Sequence, residues 1–181
     1  MSVDIFLLPE QKENINKNKT TFIKNFSKIK KEYDFNLLTS FIEKNEVRTY
    51  IKNNPNENEF FTKVIQLTKL ENLFPDFKLL QDFLRKVFKY SLNEKDGCDV
   101  FFSLKSSIGA NHVDKEDVFI IGLNGVTIYK TFGEDIQYYQ IHKGDLIYIP
   151  RGLPHKVIGL SPRVILSVGF FGNQQTTDKQ L

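Results

Sequence analysis

The chain has 181 residues, 40% of them hydrophobic and 26% charged, with a formal net charge of +3. That length suits one domain with a real core, and a charge this small, without a basic tract, does not point to nucleic acid as a partner. A single cysteine, Cys98, excludes an internal disulfide and any site built on paired thiolates.

The opening residues, MSVDIFLLPEQ, lack the basic segment and apolar run of a secretory signal. No stretch reaches the roughly 20 apolar residues of a membrane span. A cytoplasmic protein without a membrane partner is expected. The Lys- and Asn-rich segments QKENINKNK and IKNNPNENE are interspersed with acids and read as solvated faces and loops.

Apolar residues then recur at three-to-four spacing: Phe22, Ile23, Phe26 and Ile29; Leu37, Leu38, Phe41 and Ile42; Phe61, Val64 and Ile65; and Phe77, Leu80, Phe83, Leu84, Val87 and Phe88. Such spacing predicts amphipathic helices, broken where Asn and Pro cluster in NNPNENE and FPDF. Residues 1–95 are therefore read as a helical region packing on the C-terminal part of the chain.

From residue 96 the texture is β. CDVFFSL, DVFIIGL, VTIYKTF, IQYYQIH, DLIYIP and RVILSVGFF are short β-branched and aromatic runs bounded by Gly, Pro, Asn and Asp. Asn124-Gly125 predicts a hairpin with a type I′ turn, and HKGD and RGLP mark further turns. Six or more short strands at regular spacing predict a sandwich or barrel over residues 96–172. Residues 173–181 read as a loose tail, within one structural domain overall.

Two of the three histidines sit in patterned surroundings. In NHVDKED, His112 and Asp114 are two apart, so on a strand they project to one face. His155 follows 43 residues later, directly after the turn of GDLIYIPRGLPH built on Pro150, Gly152 and Pro154. Two imidazoles and a carboxylate on one face of an octahedron leave open positions, as in non-haem Fe(II) oxygenases, whereas a structural zinc site closes with four ligands. His142, in QIHKGD, reads as a solvent-exposed turn residue. Asp145 reads as an organiser of that turn, and Cys98 as a small buried hydrophobe. Asp117 is read either as a group that hydrogen-bonds near the metal or as a solvated loop acid.

The stretch from FFSLKSSIGANHVDKEDVFIIGLNGVTIYKTF through HKGDLIYIPRGLPHKV to RVILSVGFF, about residues 98–171, resembles the JmjC-type cupin family. Within it the similarity is to ribosomal-oxygenase-like and small bacterial JmjC hydroxylases. The resemblance implies a mainly β fold with an α-helical N-terminal half: a double-stranded β-helix (cupin or jelly-roll) barrel flanked by helices. It also implies Fe(II), 2-oxoglutarate as cosubstrate and O2, with His112, Asp114 and His155 as the metal ligands and catalytic centre. The implied substrate is an amino-acid side chain, free, in a peptide or in a protein; homodimerisation is left open. The chain's length leaves little room for the C-terminal dimerisation and docking domains of longer ribosomal oxygenases.

One position departs from the family pattern. Many relatives carry Lys or Arg two residues after the Gly of the hairpin, where it grips the far carboxylate of 2-oxoglutarate; here that position is Thr127. Lys130, Lys105 and Arg163 are the basic alternatives, and Thr127 with Tyr129 offers hydroxyls. Strand alternation counts against Lys130, which points away from the face shared by Thr127 and Tyr129. Three readings stay open: a 2-oxoglutarate-dependent hydroxylase, a non-catalytic metal- or ligand-binding cupin that has lost the clamp, and a different cupin enzyme. An iron dioxygenase without 2-oxoglutarate is disfavoured, since such cupins usually show His-x-His and a further Glu.

Overall fold

A computed structural model describes residues 4–28, 31–34, 36–37, 40 and 62–172. In chain order these give β1 (Asp4–Ile5), α1 (Pro9–Asn16), β2 (Thr21–Ile23), β3 (Ser27–Lys28), β4 (Ile65–Leu67) and α2 (Pro75–Phe88). Then come β5 (Gly97–Ser103), β6 (Ser107–Ile108), β7 (Asp117–Asn124), β8 (Thr127–Phe132), β9 (Ile136–Ile141), β10 (Leu146–Ile149), β11 (His155–Gly159) and β12 (Arg163–Phe170).

A six-stranded sheet in the order β2-β10-β7-β12-β5-β4 faces a four-stranded sheet in the order β6-β11-β8-β9, while β1 pairs with β3 apart from both. From β5 onward the chain switches sheets at every connection except the β8–β9 hairpin. This is a jelly-roll order. It brings the ends of strands far apart in sequence, β11 and the segment before β7, to the same mouth.

The six-stranded sheet is apolar on both faces because both are covered. On β7, Val118 and Ile120 join Tyr129, Ile141, Ile147, Ile149 and Ile165 between the sheets. Phe119 and Ile121 point the other way, into the core cluster that holds Phe77, Leu80, Leu84 and Phe88 of α2, with the Phe119 ring stacked on Phe88 at 5.3 Å between centroids. That helix is well marked: Pro75 opens it, Asp76 lies in its first turn, Arg85 and Lys86 lie in its last, and Lys89 closes it at φ 54°.

The helical first half needs correction. Among the described residues the run Phe77–Phe88 forms a helix, and Asn36, Leu37 and Ser40, at the run expected around Leu37, are also helical. The stretch around Phe22 and Phe26 makes β2 and β3, with Ile23, Phe22 and Thr21 paired to Leu146, Ile147 and Tyr148. Asn18 at φ 54° and Asn25 at φ 52° bracket β2, and these left-handed residues stop a helix from running through. Ile65 lies in β4, an edge strand paired to Phe102 of β5. In both places cross-strand partners distant in sequence override the local helical spacing. Ile29, Leu38, Phe41, Ile42, Phe61 and the tail 173–181 lie outside the described residues.

The Asn124-Gly125 turn also differs from its expectation. Only Gly125 takes a positive φ, 71°, so the turn is not type I′. Nor is it a hairpin, because β7 and β8 belong to different sheets. The glycine is needed for close approach: a Cβ there would stand 2.1 Å from the Pro162 carbonyl oxygen.

Candidate metal centre and its pocket

The two histidine-bearing segments are tied main chain to main chain. His112 N–H donates to the His155 carbonyl at 3.0 Å, and His155 N–H donates back at 2.9 Å. The turn before His155 is held by Leu153 N–H to the Pro150 carbonyl at 3.2 Å, with Gly152 at φ 81°. Gly152 N–H in turn donates to the Asp114 carbonyl at 3.0 Å. His112 forms an isolated bridge and Asp114 lies outside any regular element before β7, so neither is on a regular strand. Convergence comes from this three-bond lacing rather than from strand alternation alone.

The side chains converge as the sequence predicts. Ligand-capable atoms of His112, Asp114 and His155 lie within 4.8 Å of one another. Asp114 Oδ1 is 3.8 Å from His112 Nε2, and Asp114 Oδ2 is 3.4 Å from His155 Nε2. Each imidazole has its other nitrogen engaged: His112 Nδ1 lies 3.1 Å from the Ala110 carbonyl oxygen, and His155 Nδ1 lies 3.1 Å from that of Leu153. With Nδ1–H donated to a carbonyl, the lone pair of each ring is on Nε2, the tautomer that ligation through Nε2 requires. Burial lowers the His155 pKa, against the opposing pull of the Leu153 carbonyl and Asp114, and so favours the neutral ligand form. Burial, with Asp114 nearby, raises the carboxyl pKa of Glu116.

These groups lie in a cavity of about 620 Å³ between the sheets. Its wall also carries Phe101, Val118, Ile120, Tyr129, Arg163 and Ile165, with Lys63, Gln66, Asp99, Glu116 and Ser167 as further polar lining.

The structure separates the candidate clamp residues. Tyr129 and Arg163 line the cavity, both nearly inaccessible to solvent. Burial raises the Tyr129 hydroxyl pKa, so it stays a neutral donor. Burial lowers the Arg163 pKa. Lys130 is corrected away from the site: its ammonium sits over the rings of Phe132 and Tyr138, at 4.9 and 5.2 Å, on the other face of the four-stranded sheet. Lys105 is likewise corrected, since it is exposed and absent from the cavity lining, and its carbonyl accepts the Ser103 hydroxyl at 2.9 Å. Thr127 is buried with its hydroxyl unpartnered, opposite Gly159 on the neighbouring strand.

Arg163 is held in an unusual way. Its Nη1 donates to Ser107 Oγ at 2.8 Å and Ser103 Oγ at 3.2 Å, while its Nε has no partner. Among the described residues no carboxylate forms an ion pair with it. The guanidinium occupies the space where a side chain at Gly159 would be, since a Cβ there would fall 1.5 Å from Nη1. Sequence reasoning did not find Ser103, Ser107 or Gly159, because only the meeting of β5, β6, β11 and β12 relates them to Arg163.

Asp117 is not a solvated loop acid. It is buried, and Arg151 meets it through backbone N–H at 2.8 Å, Nη2 at 3.0 Å and Nε at 3.3 Å. The hydroxyls of Tyr90 and Tyr148 donate to it at 3.1 and 3.3 Å. It fixes the PRGLPH turn from behind. Asp145 organises its turn as expected, accepting from His142 N–H at 3.0 Å and Asn25 N–H at 2.9 Å, and His142 is exposed. Cys98 is fully buried. No helix among the described residues is long and apolar enough to cross a membrane.

Comparison with known proteins bears on this geometry. A JmjC domain family model matches residues 124–177. No curated protein matches the sequence. Among solved structures, the chain is similar to YcfD, a ribosomal oxygenase from Escherichia coli, in complex with cobalt and succinic acid: TM-score 0.75, 17% identity, over 97% of this chain and 54% of that one. A second structure of YcfD, with cobalt and 2-oxoglutarate, gives TM-score 0.72 at 17% identity over 97% and 54%. The chain spans about half the length of these relatives.

Proposed function

From a JmjC-type cupin of ribosomal-oxygenase-like fold, we propose an Fe(II)- and 2-oxoglutarate-dependent oxygenase that hydroxylates an amino-acid side chain, free, in a peptide or in a protein. The observation that carries this reading is the His112-Asp114-His155 group, gathered within 4.8 Å in a cavity with both Nε2 atoms free. Three protein ligands leave coordination positions for a chelating 2-oxo acid and O2.

An iron so held supplies oxygen activation coupled to oxidative decarboxylation of 2-oxoglutarate to succinate. The chain's own contribution is positional. The carbonyls of Ala110 and Leu153 set the imidazole orientation, and Val118, Ile120 and Ile165 line the cavity with apolar surface that keeps out water. Lys63, Gln66, Asp99, Glu116 and Ser167 give the rest of the wall its polar character toward a substrate side chain, with Gln66 Nε2 donating to Asp99 Oδ2 at 2.6 Å.

The non-catalytic alternative rested on a missing cation at Thr127. Arg163 in the same cavity weakens that argument. The test is anaerobic titration of the Fe(II)-loaded chain with 2-oxoglutarate, read by the metal-to-ligand charge-transfer band, followed by O2. A saturable band and succinate formation are expected; no band and no succinate would overturn the reading.

A further inference from the structure

Two buried polar atoms beside the cavity have nothing to satisfy them, Arg163 Nε and Thr127 Oγ1. They lie close in the fold. Thr127 pairs directly with Gly159 across β8 and β11, and Gly159 is the residue whose missing side chain makes room for the Arg163 guanidinium. Cross-strand partners present their side chains to the same face, so the threonine hydroxyl and the guanidinium face the same space between the sheets, where Arg163 borders the cavity.

A buried guanidinium without an anion is costly, and a donor left unpaired in a dry site adds to that cost. Such an arrangement persists where a ligand completes it. The surrounding residues hold the cation still rather than neutralise it: Ser103 and Ser107 accept from Nη1, and both are uncharged. His155, Val157 and Gly159 alternate on one face of β11, so this patch lies on the same wall as the metal-ligating imidazole, with Val157 between. A ligand chelating the metal at one end can meet the guanidinium at the other.

We propose that Arg163, carried on β12 and seated over Gly159, binds the distal carboxylate of the 2-oxo acid, replacing a cation that Thr127 cannot supply. This rests on the proposed function. It goes beyond that reading by moving the anchor from the strand after the Gly125 turn to the last strand of the six-stranded sheet. Ser103 and Ser107 are positioning residues that fix the guanidinium plane, and Thr127 donates to the same carboxylate.

The experiment compares two ligands on the full cobalt-loaded chain by calorimetry: 2-oxoglutarate, and 2-oxopentanoate, which has the same 2-oxo acid head and no distal carboxylate. The unaltered chain prefers 2-oxoglutarate by about 30- to 100-fold, the worth of one charge-assisted pair. Arg163→Met brings the two affinities within about threefold while 2-oxopentanoate binding stays unchanged, as expected when one charged contact is lost. Gly159→Ala, which keeps the charge and displaces the guanidinium, does the same and covers the case in which Arg163→Met does not fold. Lys130→Ala leaves the preference intact. A preference that survives both Arg163→Met and Gly159→Ala, or that vanishes in Lys130→Ala, overturns the assignment. Failure of the unaltered chain to bind either acid in a cobalt-dependent way overturns the proposed function itself, and with it the anchor.

Discussion

His112 and His155 exchange both backbone hydrogen bonds, at 3.0 and 2.9 Å, although 43 residues separate them. The bond pair belongs to the main chain, so it survives loss of either imidazole. His112→Ala or His155→Ala is therefore expected to stay folded while cobalt affinity drops by more than about 100-fold, beyond what losing an outer partner of a ligand costs. Dialysis against cobalt with metal analysis, beside a circular dichroism spectrum, measures both. Stoichiometric binding by His155→Ala would show that the triad is not the metal site.

Asp117 should matter for stability and, through it, for the site. Its carboxylate takes the backbone and side chain of Arg151 and two tyrosine hydroxyls, so removing it strands several donors. Arg151 is partly exposed, which places Asp117→Ala near the lower end of the range for breaking a buried pair, about 3 kcal/mol. Urea denaturation gives the number. Because Asp117 fixes the turn leading into His155, cobalt affinity should fall about tenfold in the folded variant. A stability loss under about 1 kcal/mol would mean that the turn holds itself.

Two glycines with positive φ should respond differently to alanine. At Gly152, φ 81°, a Cβ meets nothing within 4 Å, so only the backbone cost of about 1–2 kcal/mol applies. At Gly125, φ 71°, the same cost adds to a Cβ 2.1 Å from the Pro162 oxygen, and the total should reach about 3–5 kcal/mol. Chemical denaturation of the two variants side by side tests the order. Equal losses would mean that the loop before β12 yields freely.

The β half was legible because its signals are local: alternation, turn residues and β-branched runs mark β7, β8, β10 and β12 without knowledge of the partner strand. The first half was legible only in part: Phe77–Phe88 lies in a helix as its spacing predicts. Phe22 and Phe26 are four apart, as on a helix, yet Thr21–Ile23 is a strand because β10, more than 120 residues on, supplies its pairing edge. For the site, the triad was legible because turn and ligand are adjacent in GDLIYIPRGLPH. The surroundings of Arg163 were not, since they depend on Ser103, Ser107 and Gly159 arriving from three other strands. Strand parity counted against Lys130, and its ammonium does lie over Phe132 and Tyr138 on the other face, because alternation on β8 needs no partner.

If Arg163 waits for an anion, the ligand-free chain bears the cost of keeping it buried, and that cost is measurable. Arg163→Met keeps similar volume, removes a cation that has no carboxylate partner among the described residues and leaves Ser103 still bonded to the Lys105 carbonyl. Replacement of a buried charge by an apolar side chain of like size is often stabilising. The metal- and ligand-free variant is expected to gain about 1–2 kcal/mol over the unaltered chain in urea denaturation. Adding cobalt and 2-oxoglutarate should reverse the order, since a ligand at 100 times its Kd adds about 2.7 kcal/mol to the form that binds it. A variant destabilised without ligand by more than about 1 kcal/mol would identify the guanidinium as part of the scaffold, bonded to Ser103 and Ser107 for structure alone.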